Sequence, residues 1–188
     1  ELLNFCTTDL SAFYFDIRKD TLYCDPINSE KRKSCVTILN VLLKSLLRWF
    51  APILSFTTEE IHQLISKNTK SIHLEKFLTF PDKFKNEQLT ERWSQLIKIR
   101  DVCNISIEEK RANKEIGSSL EAELKIKLNE KYKDIISKID LSELCIVSKT
   151  QINFDEGSDI QVETKKAPGE KCPVCWKISV EPCERHSQ

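Results

Sequence analysis

The sequence predicts a mainly α protein, in which a helical bundle is followed by a small α+β unit and a short metal-binding module. Apolar residues recur at helical spacing through the first two thirds of the 188 residues, and the pattern changes to strict alternation after Gly117. Three of the eight cysteines and one of the three histidines lie in the last twenty residues. The spacing of apolar residues distinguishes helices from strands. Closely spaced cysteines and histidines are typical of metal sites. The predicted domains are 1–117, 118–166 and 167–188.

The composition limits the possible partners and compartments. The 29 basic and 29 acidic residues cancel, so no overall field attracts nucleic acid or membrane, and any RNA-binding surface must be local. No signal peptide is expected, and a chain without methionine that opens at ELLNFC is interpreted as part of a longer protein. Irregular cysteine spacing indicates a reducing compartment. Five cysteines are expected as small buried residues: Cys6, Cys24, Cys35, Cys103 and Cys145.

Three helices are predicted before the first long loop. The first covers residues 1–17, and the second runs from Ser29 to Ala51, where Pro52 stops it. The second is amphipathic rather than membrane-spanning, because polar residues recur every four positions on one stripe. Its core-facing residues are expected to be Ile38, Leu39, Leu42, Leu46, Trp49 and Phe50. The third begins at a capping box formed by Thr57 and Glu60 and runs to about Ile65.

The rest of the chain changes from helix to strand. After a loop over 70–85, a long helix is predicted from Glu87 to Glu115, with Gly117 as the left-handed residue that closes it. Its buried side is expected to contain Leu89, Trp93, Leu96, Cys103 and Ile107. Strict alternation over 120–128 predicts a strand, followed by a helix over 132–139, strands over 144–154 and 160–164, and a linker over 165–169.

The C-terminal cysteines have metal-ligand spacing. Cys172 and Cys175 form a C-x2-C pair, and Cys183 with His186 repeats the spacing in C-x2-H form after seven residues. Three thiolates and one imidazole predict a closed, structural zinc site. The alternative is disulfides or free thiols. No catalytic constellation is predicted, because three glycines cannot build a phosphate loop, and His62, His73, Glu59 and Glu60 are interpreted as packing, surface or capping residues.

Four segments carry a family resemblance. They are FCTTDLSAFYFDIRKDTLY (5–23), RKSCVTILNVLLKSLLRWFAPILSFTTEEI (32–61), IRDVCNISIEEKRANKEIGSSLEAEL (99–124) and GEKCPVCW (169–176). Together they resemble the C-terminal part of bacterial isoleucyl-tRNA synthetases. Related class I synthetases for valine, leucine and methionine share the AP-x-x-x-F-T-x-E-E stretch, whereas the third segment and the terminal cysteines favour isoleucine.

The resemblance implies a function. It implies a class I anticodon-binding helical domain, a small junction and a zinc module from a cytoplasmic, monomeric enzyme that charges isoleucine tRNA using ATP. The family places its nucleotide-binding, catalytic and editing parts upstream, so the chain alone is expected to be inactive. Its partners would be isoleucine tRNA and the remaining synthetase domains, without a membrane. Where the family has a second C-x2-C, this chain has CERH, so the fourth ligand is either His186 or a later residue of the parent.

Six residues are predicted to contact tRNA. Arg100, Arg111 and Lys114 fall on nearly one face of the predicted long helix. The resemblance suggests an anticodon-side surface at Arg18 and Lys19, and Trp176 beside the metal knuckle is a candidate for stacking an unpaired base. The alternatives are a solvated face for the cations and packing over the metal for Trp176. A second hypothesis for the whole chain is a zinc-stabilised helical protein-interaction module.

Overall fold

The computed structural model describes residues 1–66, 70–157, 159–183 and 185–186 and is mainly helical with a small mixed sheet. Two units can be distinguished within it. Unit 1 comprises Glu1–Asp20 and Asn86–Gln188, and unit 2 comprises Thr21–Lys85. The division of the chain into domains over 1–117, 118–166 and 167–188 stays a prediction.

The N-terminal helix is longer than predicted. It consists of α1 (Leu2–Asn4), a π-helical part (Phe5–Phe15) and α2 (Asp16–Cys24), which follow one another in the chain. A proline disfavours helix at the residue before it, and the pair Asp25-Pro26 comes directly after this end. The predicted end at residue 17 was therefore wrong. In unit 1, Leu10 and Ile17 are buried.

The second helix confirms its predicted bounds. α3 (Glu30–Phe50) begins at the N-cap Ser29, whose hydroxyl accepts a hydrogen bond from the Arg32 amide, and ends at the C-cap Ala51. The expectation for its core-facing side is met only in part. Ile38 remains 47% exposed and Trp49 37% exposed within the described residues.

The predicted capping box was wrong. α4 (Ser55–Ile65) begins two residues before Thr57, and its N-cap is Leu54. The Thr58 hydroxyl donates to the Leu54 carbonyl instead. The nearby carboxylate of Glu59 accepts from the Ser71 hydroxyl at 2.7 Å and from the Ile72 amide at 2.9 Å. The Ser71 hydrogen bond is the main reason why the pKa of Glu59 is lowered.

The loop after α4 belongs to unit 2, and its first part packs against the helices of that unit. It contains two short 3-10 turns, Ile72–Leu74 and Asp82–Phe84. Ile72 is only 1% exposed and packs with Leu47 and Ala51. Arg48 pairs with the Glu75 carboxylate at 2.9 Å. The buried His62 places its Nε2 3.2 Å from the Lys70 carbonyl, which agrees with the packing role expected for it.

The long helix ends earlier than predicted. α5 (Glu87–Ala112) starts at the N-cap Asn86 and ends three residues before Glu115. Lys114, with φ 59°, occupies the left-handed closing position that was predicted for Gly117. The Glu115 amide donates to the Lys110 carbonyl, and the Lys114 amide donates to the Arg111 carbonyl. These two bonds form a Schellman motif, so the assignment of Gly117 was wrong.

The core of unit 1 lies between α5 and one face of the sheet. Leu96, Cys103 and Ile107 on α5 are buried as predicted, whereas Leu89 is 47% exposed. The sheet has the order β2-β1-β3, with β1 (Ala122–Asn129) parallel to β2 (Lys149–Asp155) and antiparallel to β3 (Ile160–Lys166). The four inward residues of β1 are fully buried: Ala122, Leu124, Ile126 and Leu128.

The connection between the parallel strands contains more helix than predicted. It includes a 3-10 turn (Glu130–Tyr132), α6 (Lys133–Ile136) and α7 (Leu141–Leu144). The strand predicted over 144–154 therefore begins only at Lys149, and the predicted linker overlaps the end of β3. The side chain of Asp140 caps α7 by accepting from the Ser142 and Glu143 amides. A parallel pair requires such a crossover because the chain must return to the same end of the sheet.

Candidate metal centre and nucleic-acid interface

A two-stranded ribbon carries the C-terminal cysteines. β4 (Glu170–Lys171) pairs with β5 (Ile178–Ser179) in antiparallel register. Gly169 precedes the ribbon with φ 112°, and a Cβ at this position would lie 2.1 Å from the Ser179 carbonyl oxygen. Only glycine permits this approach without displacing the second strand.

The turn of the ribbon is a knuckle. The Trp176 amide donates to the Cys172 carbonyl at 3.0 Å, and the Cys172 amide donates to the Lys177 carbonyl at 2.9 Å. Trp176 takes φ 65°, so the chain reverses immediately after Cys175. This tight reversal directs the two cysteines of the C-x2-C pair to the same point.

The structure brings all four predicted ligands together. The ligand atoms of Cys172, Cys175, Cys183 and His186 lie within 4.8 Å of one another. The sulfurs of Cys175 and Cys183 are 3.8 Å apart, and Nδ1 of His186 lies 3.5 Å from the sulfur of Cys172 and 3.3 Å from that of Cys183. Tetrahedral zinc would separate two sulfurs by about 3.7 Å and a sulfur from a nitrogen by about 3.5 Å. The cluster can therefore hold one metal ion.

The two knuckle thiols have different acidities. Hydrogen bonds from the amides of Cys175 and Val174, with a smaller contribution from His186, lower the pKa of Cys172 to about 6. Burial raises the pKa of Cys175 to about 12. The thiolate is the form that binds a metal, so the amide hydrogen bonds that lower the pKa of Cys172 also favour its metal-binding form.

Two contacts missed by the sequence analysis attach the ribbon to the sheet and the N-terminal helix. The Ile178 amide donates to the Ser148 hydroxyl at 2.6 Å, and this hydroxyl donates to the Leu120 carbonyl. Arg185, between two of the ligands, pairs with Asp20 at 2.7 Å. No local pattern could have indicated these contacts, because the partners are far apart in the sequence.

Two of the predicted tRNA contacts are engaged within unit 1. Arg18 pairs with Glu143 at 2.8 Å. Arg100 donates to the Leu144 carbonyl at 3.0 Å, and its guanidinium lies 5.2 Å from the centroid of the Phe13 ring. Arg18 therefore connects the N-terminal helix to the end of α7, and Arg100 connects α5 to the same place. The more exposed Lys19 pairs with Asp16 within its own helix.

The predicted stripe of three cations is only partly formed. Lys114 lies beyond the end of α5, so the prediction that it shares a helical face with Arg100 and Arg111 was wrong. Arg111 and Lys114 instead line an open surface depression with Ile116 and Gly117. Arg111 is exposed and pairs with Glu108 one turn earlier on the helix.

Trp176 is an exposed residue of the knuckle. Its side chain is 58% exposed, and the ammonium group of Lys171 lies 4.9 Å from the centroid of the ring. With more than half of its surface exposed, the ring is accessible to a ligand. An exposed aromatic ring beside a cation is a common arrangement where proteins contact unpaired bases.

The remaining cysteines are structural in character. Cys35, Cys103 and Cys145 are buried as predicted, whereas Cys6 and Cys24 are only partly buried. Hydrogen bonding with Cys145, together with burial, raises the pKa of Cys103. A neutral buried thiol packs as a small hydrophobic residue.

Comparisons with known proteins agree on one group. Residues 1–128 match the family model described as the anticodon-binding domain of tRNA ligase. The chain is 60% identical over 187 residues to an isoleucine–tRNA ligase of Pelagibacter ubique, covering 100% of the chain and 21% of that relative. Isoleucine–tRNA ligases of Bartonella henselae (38% identity, 95% of the chain, 20% of the relative) and Rhodopseudomonas palustris (37%, 94%, 19%) match similarly.

The chain thus spans about a fifth of the length of these curated relatives.

A helix that crosses a bilayer needs about 20 mostly apolar residues. Among the residues that the structure describes, no helix combines this length with a sufficiently apolar sequence.

Proposed function

Because the chain belongs to the anticodon-binding domain family of tRNA ligases, we propose that it is the C-terminal tRNA-recognition portion of an isoleucine–tRNA ligase. The observation that carries this proposal is 60% identity to such a ligase over the whole chain. The complete enzyme would attach isoleucine to its tRNA at the expense of ATP, as a cytoplasmic monomer. The ATP site and the chemistry would belong to its other domains.

The surface of unit 2 supports a place within a larger protein. Among the residues described in this unit, the buried apolar cluster consists of Leu47, Ala51 and Ile72, with Ile61 packed against it. Many large apolar side chains of the same unit are exposed, including Tyr23, Ile27, Ile53, Phe56, Leu64, Leu74, Phe77 and Phe84. Soluble monomers rarely expose so much apolar surface, and large exposed patches mark interaction sites. The remaining domains of the same ligase would cover this surface.

The four-ligand cluster would hold one structural zinc ion. Three cysteines and one histidine are a typical zinc donor set, and the distances between their ligand atoms are close to those of a tetrahedron. The bound ion would cross-link the knuckle to the turn that contains Cys183 and His186. It would have no catalytic role, because four protein ligands leave no position for water.

The metal assignment can be tested by cobalt substitution. Protein prepared without chelator should contain one zinc ion per chain, and the cobalt form should show the charge-transfer and d–d bands of a tetrahedral thiolate site. Cys172→Ser should abolish these bands. Absence of metal from the wild-type protein would contradict the whole assignment. Metal retained in His186→Ala would contradict only the assignment of His186 as the fourth ligand.

The proposed tRNA contacts divide into three groups. Arg111, Lys114 and Lys19 are exposed or lie at an open depression, so they suit phosphate contacts that carry no sequence information. Arg18 and Arg100 would contribute by orienting the surface as well as by charge, because both are engaged in protein contacts. Trp176 would supply the stacking surface for an unpaired anticodon base.

Binding of transcribed tRNAs tests the recognition function. The zinc-loaded chain should bind isoleucine tRNA more tightly than the same transcript with a changed anticodon. Equal binding of both transcripts would contradict anticodon recognition. Absence of tRNA binding, combined with capture of a defined protein partner, would favour the second candidate, a zinc-stabilised helical protein-interaction module.

A further inference from the structure

Arg185 connects the metal cluster to a distant part of the chain. It lies between the ligands Cys183 and His186, in a turn closed by a hydrogen bond of 2.9 Å from the His186 amide to the Cys183 carbonyl. Its Nη1 is 2.7 Å from Oδ2 of Asp20, which is 165 positions away in the sequence. Both side chains are partly shielded, with 33% of Arg185 and 29% of Asp20 exposed.

The geometry of the turn depends on the ligands on either side of Arg185. After β5 the chain forms no further strand in its described part, and the exposed residues Val180, Glu181 and Pro182 offer it little packing. A metal ion held by Cys183 and His186 would therefore be the main constraint on where the Arg185 backbone lies. Without it, the turn would have to lose more conformational entropy before the ion pair could form.

The other end of the ion pair lies beside two proposed tRNA contacts. Asp20 follows Arg18 and Lys19 on α2, and Arg18 is itself held by Glu143. The Asp20 pair is thus a second attachment of the same helical turn within unit 1. If it is lost, the Arg18–Glu143 ion pair still attaches this turn to a distant part of the chain.

We propose that Asp20 and Arg185 are positioning residues that link metal loading to the end of the N-terminal helix. Metal binding orders the turn, the ordered turn presents Arg185 to Asp20, and the pair holds the segment that carries Arg18 and Lys19. This inference rests on the metal centre of the proposed function and extends it from a local cross-link to the proposed tRNA-binding surface.

The link must act in both directions. If the metal strengthens the ion pair, the ion pair must raise the metal affinity by the same factor. Partly exposed ion pairs contribute little individually, which corresponds to a factor of about two to five in an equilibrium constant. Asp20→Asn and Arg185→Gln should each weaken zinc binding by this factor, and the double variant should be no weaker than either single variant.

The experiment combines zinc affinity with amide hydrogen exchange in the 188-residue chain. Affinity is measured by competition with a chromophoric chelator, and exchange is followed over residues 16–24 with and without zinc. Zinc should slow exchange in this segment of the wild-type protein and should have little effect in Asp20→Asn. The charge-reversed pair Asp20→Arg with Arg185→Asp should restore part of both effects, which a purely structural loss would not allow.

Asp16→Asn is the matched control. Asp16 lies on the same helix, and its ion pair at 2.9 Å is with Lys19 of that helix. This variant should keep wild-type zinc affinity and the zinc-dependent protection. Equal behaviour of Asp20→Asn and Asp16→Asn in a chain that binds zinc would overturn the link alone. A wild-type chain that binds no zinc would overturn the metal centre together with the link.

Discussion

Lys114 shows how a single residue determines where the long helix ends. The residue that closes a Schellman motif takes a left-handed conformation, which glycine adopts most easily. Here a lysine occupies it with φ 59°, while Gly117 three residues later has no positive φ. The ion pair between Lys110 and Glu115 at 2.9 Å spans the same turn and helps to hold it.

Lys114→Gly is expected to stabilise the protein. Removing the Cβ relieves the left-handed strain, and the free energy of unfolding should rise by about 0.5–1 kcal/mol after the greater flexibility of unfolded glycine is included. Lys114→Ala is the control, because it removes the same charge and keeps the Cβ. Both variants should weaken tRNA binding equally, but only the glycine variant should be more stable in urea unfolding. Equal stability of the two variants would argue against strain at this position.

Trp176 is the residue at which stacking and metal packing can be separated. Trp176→Ala in the zinc-loaded chain should cost about 1–3 kcal/mol of tRNA binding, the value of one lost base stack. The salt dependence of binding should stay nearly unchanged, whereas Arg111→Ala should make it shallower by up to about one unit of slope. Titrations at several salt concentrations measure both quantities. Unchanged tRNA affinity in Trp176→Ala would show that the ring packs within the protein and does not stack on a base.

At the scale of elements, the ribbon depends on a close backbone approach. β4 and β5 have two residues each, so their pairing provides little stability by itself. The ribbon is held by the approach of Gly169 to Ser179, by the Ser148 hydrogen bond and, in the proposed function, by the metal. The knuckle geometry therefore depends on a residue outside the C-x2-C motif.

Gly169→Ala is expected to disrupt the metal centre. An added Cβ would meet the Ser179 backbone at 2.1 Å in a positive-φ conformation, so β5 must move away from β4. Zinc affinity should fall by at least tenfold, as measured by chelator competition. Gly157→Ala is the control, because the nearest atom to its Cβ is an Asp155 side-chain oxygen at 3.7 Å, and it should bind zinc normally. Normal zinc binding by Gly169→Ala would contradict the close approach.

At the scale of the molecule, the two units differ in how well they are packed. Unit 1 has an extended core to which both α5 and β1 contribute, with Leu96, Ile99 and Leu124 fully buried. Unit 2 has a small buried cluster beneath an extensive exposed apolar surface. This difference is expected if the remainder of a ligase completes unit 2.

The chain by itself should have no synthetase activity. It has three glycines and therefore no glycine-rich phosphate loop, and the only parallel strand pair in its described part is β1 with β2. With isoleucine and ATP it should exchange no labelled pyrophosphate into ATP above a buffer blank. The complete ligase, assayed in parallel, serves as the positive control. Exchange by the purified chain would contradict the assignment of catalysis to other domains.

The sequence by itself determined the features that depend on local spacing. The helical period predicted α3 and most of α5, strict alternation predicted β1, and the C-x2-C and C-x2-H pairs predicted four residues that the structure brings together. Such features are predictable because neighbours in the sequence remain neighbours in space. Thr57 and Gly117 fitted capping patterns equally well, but α4 begins at Ser55 and Lys114 closes α5.

Only the tertiary structure decided which charges are available and which are engaged. Arg18, Arg100 and Arg111 were all predicted to contact tRNA, yet Arg18 and Arg100 contact the end of α7 at Glu143 and Leu144. Asp20 and Arg185 are 165 positions apart, so no local pattern could indicate their contact. The physical reason is that long-range pairs depend on the path of the folded chain, whereas periodicity and ligand spacing depend only on the covalent order of residues.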